Sequence, residues 1–278
     1  ETLVINAAAG ATSFDFAKTS GVETVKVDDD NTARAITLTD IATGTNVEVT
    51  TGATTTQVVV DMADKANADN AVQVTLGTTV GTVNLDAADV ETLNLVSATG
   101  SSTVDLAGLA MSASGETAVL NVTGNKALTV SALNADVTTI NASGMTTGGS
   151  IVQTGRSGTD AATYTGSVGN DTFIMANTAD VIVGGEGSDT LDVDVTAVLG
   201  GIVVDLTKDD VVVQANGSLN TAVQSGFTNV DVSGYQGGYG AVVTAHKDGS
   251  TITGTGVTDQ ITGGAGNDVI VMSAGNDV

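Results

Sequence analysis

Six aspartates stand nine residues apart in two sets, Asp171, Asp180 and Asp189 and then Asp259, Asp268 and Asp277. Glycines precede most of them at fixed offsets. Residues 184–192 read GGEGSDTLD and residues 263–271 read GGAGNDVIV, both of the form G-G-x-G-x-D-x-U-x with U a bulky apolar residue. The chemistry this spacing serves is the holding of a hard cation. Glycine at the first, second and fourth places admits φ > 0. The backbone can then curl so that its carbonyl oxygens converge, and the aspartate adds a carboxylate at the end of the turn. Ca²⁺ takes roughly 6–8 oxygens at about 2.3–2.6 Å, more than one turn supplies. Two nine-residue units make one coil, so turns that stack are eighteen residues apart, with the ion between them.

That spacing ranks the candidate ligands. The turn 166–171 (GSVGND) stacks with 184–189 (GGEGSD), which puts Gly166, Val168, Gly169 and Asp171 against Gly184, Gly185, Glu186, Gly187 and Asp189 in the best site. Between them, 175–180 (MANTAD) has no glycine and would meet Ala162, where an aspartate is missing. In the second set Gly254, Gly256 and Asp259 face Gly275 and Asp277, each turn half-degenerate. Gly263, Gly264, Gly266 and Asp268 form the cleanest turn there, which would pair with 245–250 (AHKDGS) behind it or with residues beyond Val278.

The elements that must carry these turns are strands. The apolar partner two places after each aspartate keeps time as Phe173, Ile182, Leu191, Ile261 and Ile270, and is expected inside the coil. Upstream, short alternating runs read as strands at 2–5, 22–27, 35–39, 46–50, 57–61, 72–76, 82–85, 90–96, 103–106, 118–122, 127–130 and 137–140. Helical periodicity is nearly absent, with one turn of helix expected over 61–70 (DMADKANADN). The runs VETVKV at 22–27, VETLNL at 90–95 and VTTINAS at 137–143 share a cadence, which suggests stacked coils that each bury little alone. The expected fold is all-β, a parallel β-solenoid or β-roll, right-handed as the family resemblance given below implies. A Greek-key β-sandwich is the alternative for the first half, since it also has short, regularly spaced strands. The segments are 1–160, a β-rich repeat region; 161–194, the first nonapeptide block; 195–244, a β-rich insertion; and 245–278, the second block. The chain opens on Glu1 and stops after Val278 in mid-repeat, as expected of a piece of a longer polypeptide.

Composition narrows the function. A net charge of −24 from 32 acidic and 8 basic residues argues against nucleic acid and anionic membrane surfaces. It also fits neutralisation by bound cations. There is no cysteine, so disulfides do not hold the fold, and no proline. Aromatics are 3%, which suits a narrow core of Val, Ile, Leu and Ala. No apolar run is long enough to span a membrane. His246 is the only histidine and lies in a degenerate turn, so no HExxH, Cys–His or convincing Ser-His-Asp constellation can be built. Carboxylate pairs occur at Asp28–Asp30, Asp192 with Asp194, and Asp209–Asp210, but sugar-cleaving sites usually add aromatic platforms and this chain has no tryptophan. The tip YQGGYG at 235–240 is either a contact patch or loop cover.

The run VTTINASGMTTGG at 137–149, leading through GSVGND into GGEGSDTLD, resembles the calcium-dependent surface-layer proteins that Gram-negative bacteria export by type I secretion, a branch of the RTX proteins. The Thr/Val/Ala-rich, Cys-free composition shares that likeness along the whole chain, while residue-by-residue correspondence is confined to 166–192 and 254–278. The resemblance implies several bound Ca²⁺ ions, self-assembly with further copies on the bacterial cell surface, and anchoring to envelope polysaccharide through a domain outside this chain. It implies no catalysis. The repeats alone leave two other readings open, the stalk of a secreted RTX adhesin and the calcium-binding tail of a secreted hydrolase. Without calcium, two carboxylates about 4 Å apart repel by roughly 4 kcal/mol at an effective dielectric of about 20. The region 161–192 is then expected to fold only where calcium is abundant. On this pairing Asp189→Ala raises the calcium midpoint for folding in a circular dichroism titration, and Asp180→Ala barely moves it.

Overall fold

The computed structural model describes residues 1–6, 13–28, 35–50, 56–77, 81–111, 116–158, 160–195, 200–215, 217–235 and 238–278. These residues contain strands and turns and no helix. They cluster into two units, Glu1–Gly158 and Thr159–Val278. Within each, the chain winds as a parallel β-solenoid.

In the first unit the strands alternate between two sheets. One holds β1 (Thr2–Ile5), β3 (Thr24–Val27), β5 (Asn46–Val49), β7 (Ala71–Leu76), β9 (Thr92–Ser97), β11 (Ala118–Gly124) and β13 (Val137–Met145). The other holds β2 (Ser13–Asp15), β4 (Ala35–Ile41), β6 (Thr56–Met62), β8 (Thr82–Ala88), β10 (Ser102–Leu106), β12 (Ala127–Leu133) and β14 (Ser150–Gln153). Every ladder within them is parallel. A Greek-key sandwich is built from antiparallel neighbours, so the sandwich alternative for the first half is set aside. Of these strands, β2 and β14 escape the sequence reading because SFD and SIVQ are too short to show alternation.

Alternation of side chains along each strand sorts them between core and surface. Val25, Val47, Val74, Leu95 and Val122 lie in one register row, all fully buried. The next position outward gives Asn46, Gln73, Asn94, Asn121 and Asn141 in a row of their own. Gln73 Nε2 donates to Asn46 Oδ1 at 3.3 Å and Asn121 Nδ2 donates to Asn94 Oδ1 at 3.0 Å. The segment 61–70 is not helical. Asp64 Oδ1 captures the Ala66 amide at 3.1 Å and Asn67 Oδ1 the Asp69 amide at 3.2 Å, so side chains take the donors that a helix would use.

The second unit has a different coil. The strands β15 (Thr163–Thr165), β16 (Thr172–Met175), β17 (Val181–Val183) and β18 (Asp189–Val193) stack two by two, β15 on β17 and β16 on β18. Then β19 (Ile202–Asp205) forms a small sheet with β20 (Val212–Ala215) and β21 (Ser218–Leu219), whose mutual pairings are antiparallel. Parallel stacking resumes with β22 (Gln224–Ser225) on β17 and β23 (Phe227–Asp231) on β18, before the nonapeptide motif itself returns. It continues through β24 (Ala241–Thr244) on β19, β25 (Thr251–Thr253) on β23, β26 (Gln260–Thr262) on β24 and β27 (Val269–Val271) on β25.

Phe173, Ile182 and Leu191 point inward and are fully buried, and the Phe173 ring stacks on Tyr164 with centroids 5.7 Å apart. Ile261 is only half-buried and Ile270 is 39% exposed, because β26 and β27 end their sheets and each has a neighbour on one side only. Tyr235 is buried with its hydroxyl donating to the Gly200 carbonyl, whereas Tyr239 is exposed. The tip therefore offers one tyrosine for contact, not two, and residues 236 and 237 lie outside the described set, as do Asp29 and Asp30.

Adjacent positions on β9 test the inside–outside assignment. Leu95→Ala should cost about 2–5 kcal/mol through the cavity it leaves. Asn94→Ala should cost about 1 kcal/mol, the value of one half-buried side-chain hydrogen bond. Urea unfolding of the two variants measures the contrast, and equal losses would mean that the register is wrong.

Candidate metal sites in the stacked turns

The nonapeptide turns stack as the eighteen-residue spacing requires. Gly166–Asp171 joins β15 to β16, and Gly184–Asp189 joins β17 to β18 directly above it. Glu186 N–H donates to the Ser167 carbonyl at 3.1 Å, and Ser188 N–H to Asn170 Oδ1 at 2.9 Å. Gly263–Asp268 sits on 245–250, with Ser250 N–H donating to Asp268 Oδ1 at 2.9 Å. Gly254–Asp259 meets 272–277 through the Asp259 amide and Asp277 Oδ1 at 2.8 Å. The turn around Asp180 meets Ala162.

Glycine is required here for two reasons, of which the sequence pattern showed one. Gly185 and Gly187 do adopt φ of +112° and +120°. At Gly264 and Gly266 the need is close approach. A Cβ on Gly264 would lie 2.4 Å from the His246 carbonyl oxygen, and one on Gly266 2.3 Å from the Asp248 carbonyl carbon. Val168 and Glu186 are exposed at the turn tips, and only their backbones face the stack.

The aspartates follow one rule. Their Oδ1 oxygen accepts the amide eighteen residues earlier: Ala162 for Asp180 at 2.8 Å, Asp171 for Asp189 at 2.7 Å, Ala241 for Asp259 at 2.7 Å, and Asp259 for Asp277 at 2.8 Å. Their Oδ2 oxygen accepts the amide four residues earlier in the same turn: Ser167 for Asp171, Ala176 for Asp180 at 3.0 Å, Thr255 for Asp259 at 2.7 Å, and Gly264 for Asp268 at 2.8 Å. Asp180, Asp259 and Asp268 thus each staple two backbone layers. Ser167 and Thr255 add their hydroxyls to Asp171 and Asp259, and Ser250 takes the in-phase place of a missing aspartate, accepting the His246 amide. These three residues escaped the sequence reading. Their signal was a hydroxyl at the second or sixth place of the beat.

Asp189 breaks the rule. It is fully buried, yet its Oδ2 has no hydrogen-bond partner. Burial is the main reason its carboxyl is pushed up to about 7, with the Asp171 charge adding to the rise and the Asp171 amide opposing it. An uncompensated buried carboxylate oxygen is costly, and a cation would compensate it. Among the described residues no three carboxylates or imidazoles converge, so a cation held here would draw mainly on backbone carbonyls, as hard oxygen-seeking Ca²⁺ permits. The 184–189 turn fits such an ion better than the turns ending at Asp171, Asp180, Asp259 and Asp268, whose Oδ2 oxygens already accept amides. On the outer face of β18, Asp192 lies opposite Asp231. Burial, with the Asp231 and Asp194 charges, pushes its carboxyl up to about 6.

Comparison with protein-family models, with curated proteins and with solved structures gave no match.

The staples change what substitution should do. Asp180 holds the Ala162, Ala176 and Asn177 amides, so Asp180→Ala should destabilise the fold with or without calcium rather than be nearly silent. Asp189 should behave oppositely in chelator. Its folded-state value near 7 exceeds the ordinary 3.8, so its protonated form favours the fold. That stability is full below the ordinary value and is lost as pH rises through about 7. Metal-free protein should therefore melt roughly 5–10 °C higher at pH 5 than at pH 8. Asp189→Asn should raise the pH 8 value and flatten the difference, while Asp180→Ala lowers both. Calorimetry in excess chelator reads all three. An Asp189→Asn that melts lower at pH 8 would show that its charge is already compensated.

Proposed function

We propose that this chain is part of a structural, self-assembling protein of the bacterial surface-layer type, whose folding and assembly are switched by calcium outside the cell. The observation that carries the reading is the buried Asp189 carboxylate, with one oxygen tied to the Asp171 amide and the other unmatched, in the turn that best fits the nonapeptide motif. In metal-poor surroundings that charge opposes folding, and in metal-rich surroundings it becomes a ligand. Gly166, Gly169, Asp171, Gly184, Gly185, Gly187 and Asp189 would supply the oxygens and turns around that carboxylate. The second block, Gly254 to Asp277, would add ions that bind less selectively. The ion supplies positive charge and coordination, and the protein's own staples hold the turns at the spacing it needs.

A structural role is supported by the build of the chain. In the first unit every described ladder is parallel, and outward Asn, Gln and Thr side chains bond to one another along the stack, as at Asn121 and Asn94. Partners would be further copies of the chain and, through another part of the protein, envelope polysaccharide. The sole imidazole, His246, accepts the Asp248 amide at Nδ1 at 3.3 Å and sits on an exposed turn, which favours no acid–base chemistry.

The test is reversible assembly. Full-length protein in millimolar Ca²⁺ should form ordered two-dimensional arrays under negative stain, and excess chelator should return them to monomers with loss of β signal from the second unit. Arrays that survive chelation, or rods in place of sheets, would overturn the surface-layer reading.

A further inference from the structure

The turn 184–189 has a neighbour on its other side that carries no nonapeptide motif. Ser225, Gly226 and Phe227 make a sharp corner between β22 and β23, where the chain returns from β19–β21. Gly226 adopts φ of +78°. Its carbonyl oxygen lies 2.7 Å from the point that a Cβ on Gly184 would occupy, and Asp189 Oδ2 lies 2.7 Å from that same point. One coil earlier the arrangement recurs. There the Gly184 carbonyl oxygen and Asp171 Oδ2 lie 1.8 Å and 2.7 Å from the Cβ point of Gly166. The corner at Gly226 therefore sets a carbonyl where a nonapeptide turn would set one, although its sequence does not match the motif.

The two layers differ in what the carboxylate meets. Asp171 Oδ2 accepts the Ser167 amide and hydroxyl. In the 184–189 turn no donor reaches Asp189 Oδ2, which is buried. A carboxylate oxygen and a carbonyl oxygen then share a cradle that is open only because residue 184 lacks a side chain. The Asp189 oxygen is shut away from water, and with a carbonyl oxygen facing the same cradle it calls for a positive partner. The corner is also held firmly: Asn229 Nδ2 donates to the Asp189 carbonyl at 3.2 Å, and the Ser188 and Thr228 hydroxyls are 2.9 Å apart.

The geometry points to a second cation site on this face of the turn, formed by Asp189 Oδ2 and the Gly226 carbonyl and suited to a hard divalent ion such as Ca²⁺. It rests on the calcium reading of the 166–189 turns, but it lies on their opposite side and recruits a residue beyond the insertion. Its effect is to make the return of the chain after β19–β21 part of the metal-dependent structure. Asp189 then serves two layers, with Oδ1 toward 166–171 and Oδ2 toward Gly226.

Crystals of the full chain with Ca²⁺ exchanged for Tb³⁺ test this through the anomalous difference map. The expected result is a peak within about 2.3–2.6 Å of both Asp189 Oδ2 and the Gly226 carbonyl oxygen. That peak should vanish in Asp189→Asn, while peaks in 254–277 persist. Peaks between 166–171 and 184–189 with none against Gly226 would overturn this inference and leave the calcium reading standing. A map with no peak in any nonapeptide turn would sink both.

Discussion

Everything in the second unit depends on how a parallel coil closes its turns. Parallel strands in most proteins are joined by a crossover helix that covers the sheet. Here each crossover is another strand, so two turns per coil must lie flat on the turns above and below. Backbone amides in such a stack are shut away from water and need acceptors. The aspartate carboxylate meets that need in two directions at once, reaching the coil below with one oxygen and its own turn with the other. The eighteen-residue period, the glycines and the position of the aspartate all follow from this double bridge.

The first unit solves the same problem by other means. Successive register pairs there are spaced unevenly, as Asn46 with Gln73 and Asn121 with Asn141 show. Its turns are longer and individually closed, for example by Asn70, whose amide group donates to the Asp64 carbonyl at 2.8 Å and the Asp89 carbonyl at 3.1 Å. No shared turn chemistry forces a common period, so the coils vary in length while the Val and Leu rows stay in register. A narrow core of aliphatic side chains tolerates this because each coil packs chiefly on its immediate neighbours.

Charge connects stability to the setting in which the protein works. With 32 acidic residues against 8 basic ones, the chain has few internal partners for its carboxylates, and stacking brings like charges together, as at Asp192 and Asp231. The stapled aspartates spend their charge on amides. Asp189 spends only one oxygen in this way, on the Asp171 amide, and its unmatched Oδ2 makes this turn a candidate switch.

The amino-acid sequence alone determined the all-β class, most of the strands of the first unit and the pairing of turns eighteen residues apart, because these rest on local periodicity and on residues with narrow conformational preferences. It could not show that the same aspartates hold backbone amides, since Asp180 and Asp189 hold the same place in the beat and the donors that reach each are set by the fold. Nor could it show that the Gly226 carbonyl approaches the Gly184 cradle beside Asp189, since Gly226 has no motif around it and arrives only after the chain has passed through β19–β21. Whether a buried oxygen is satisfied is decided by the layer above it, and the identity of that layer is a property of the tertiary structure.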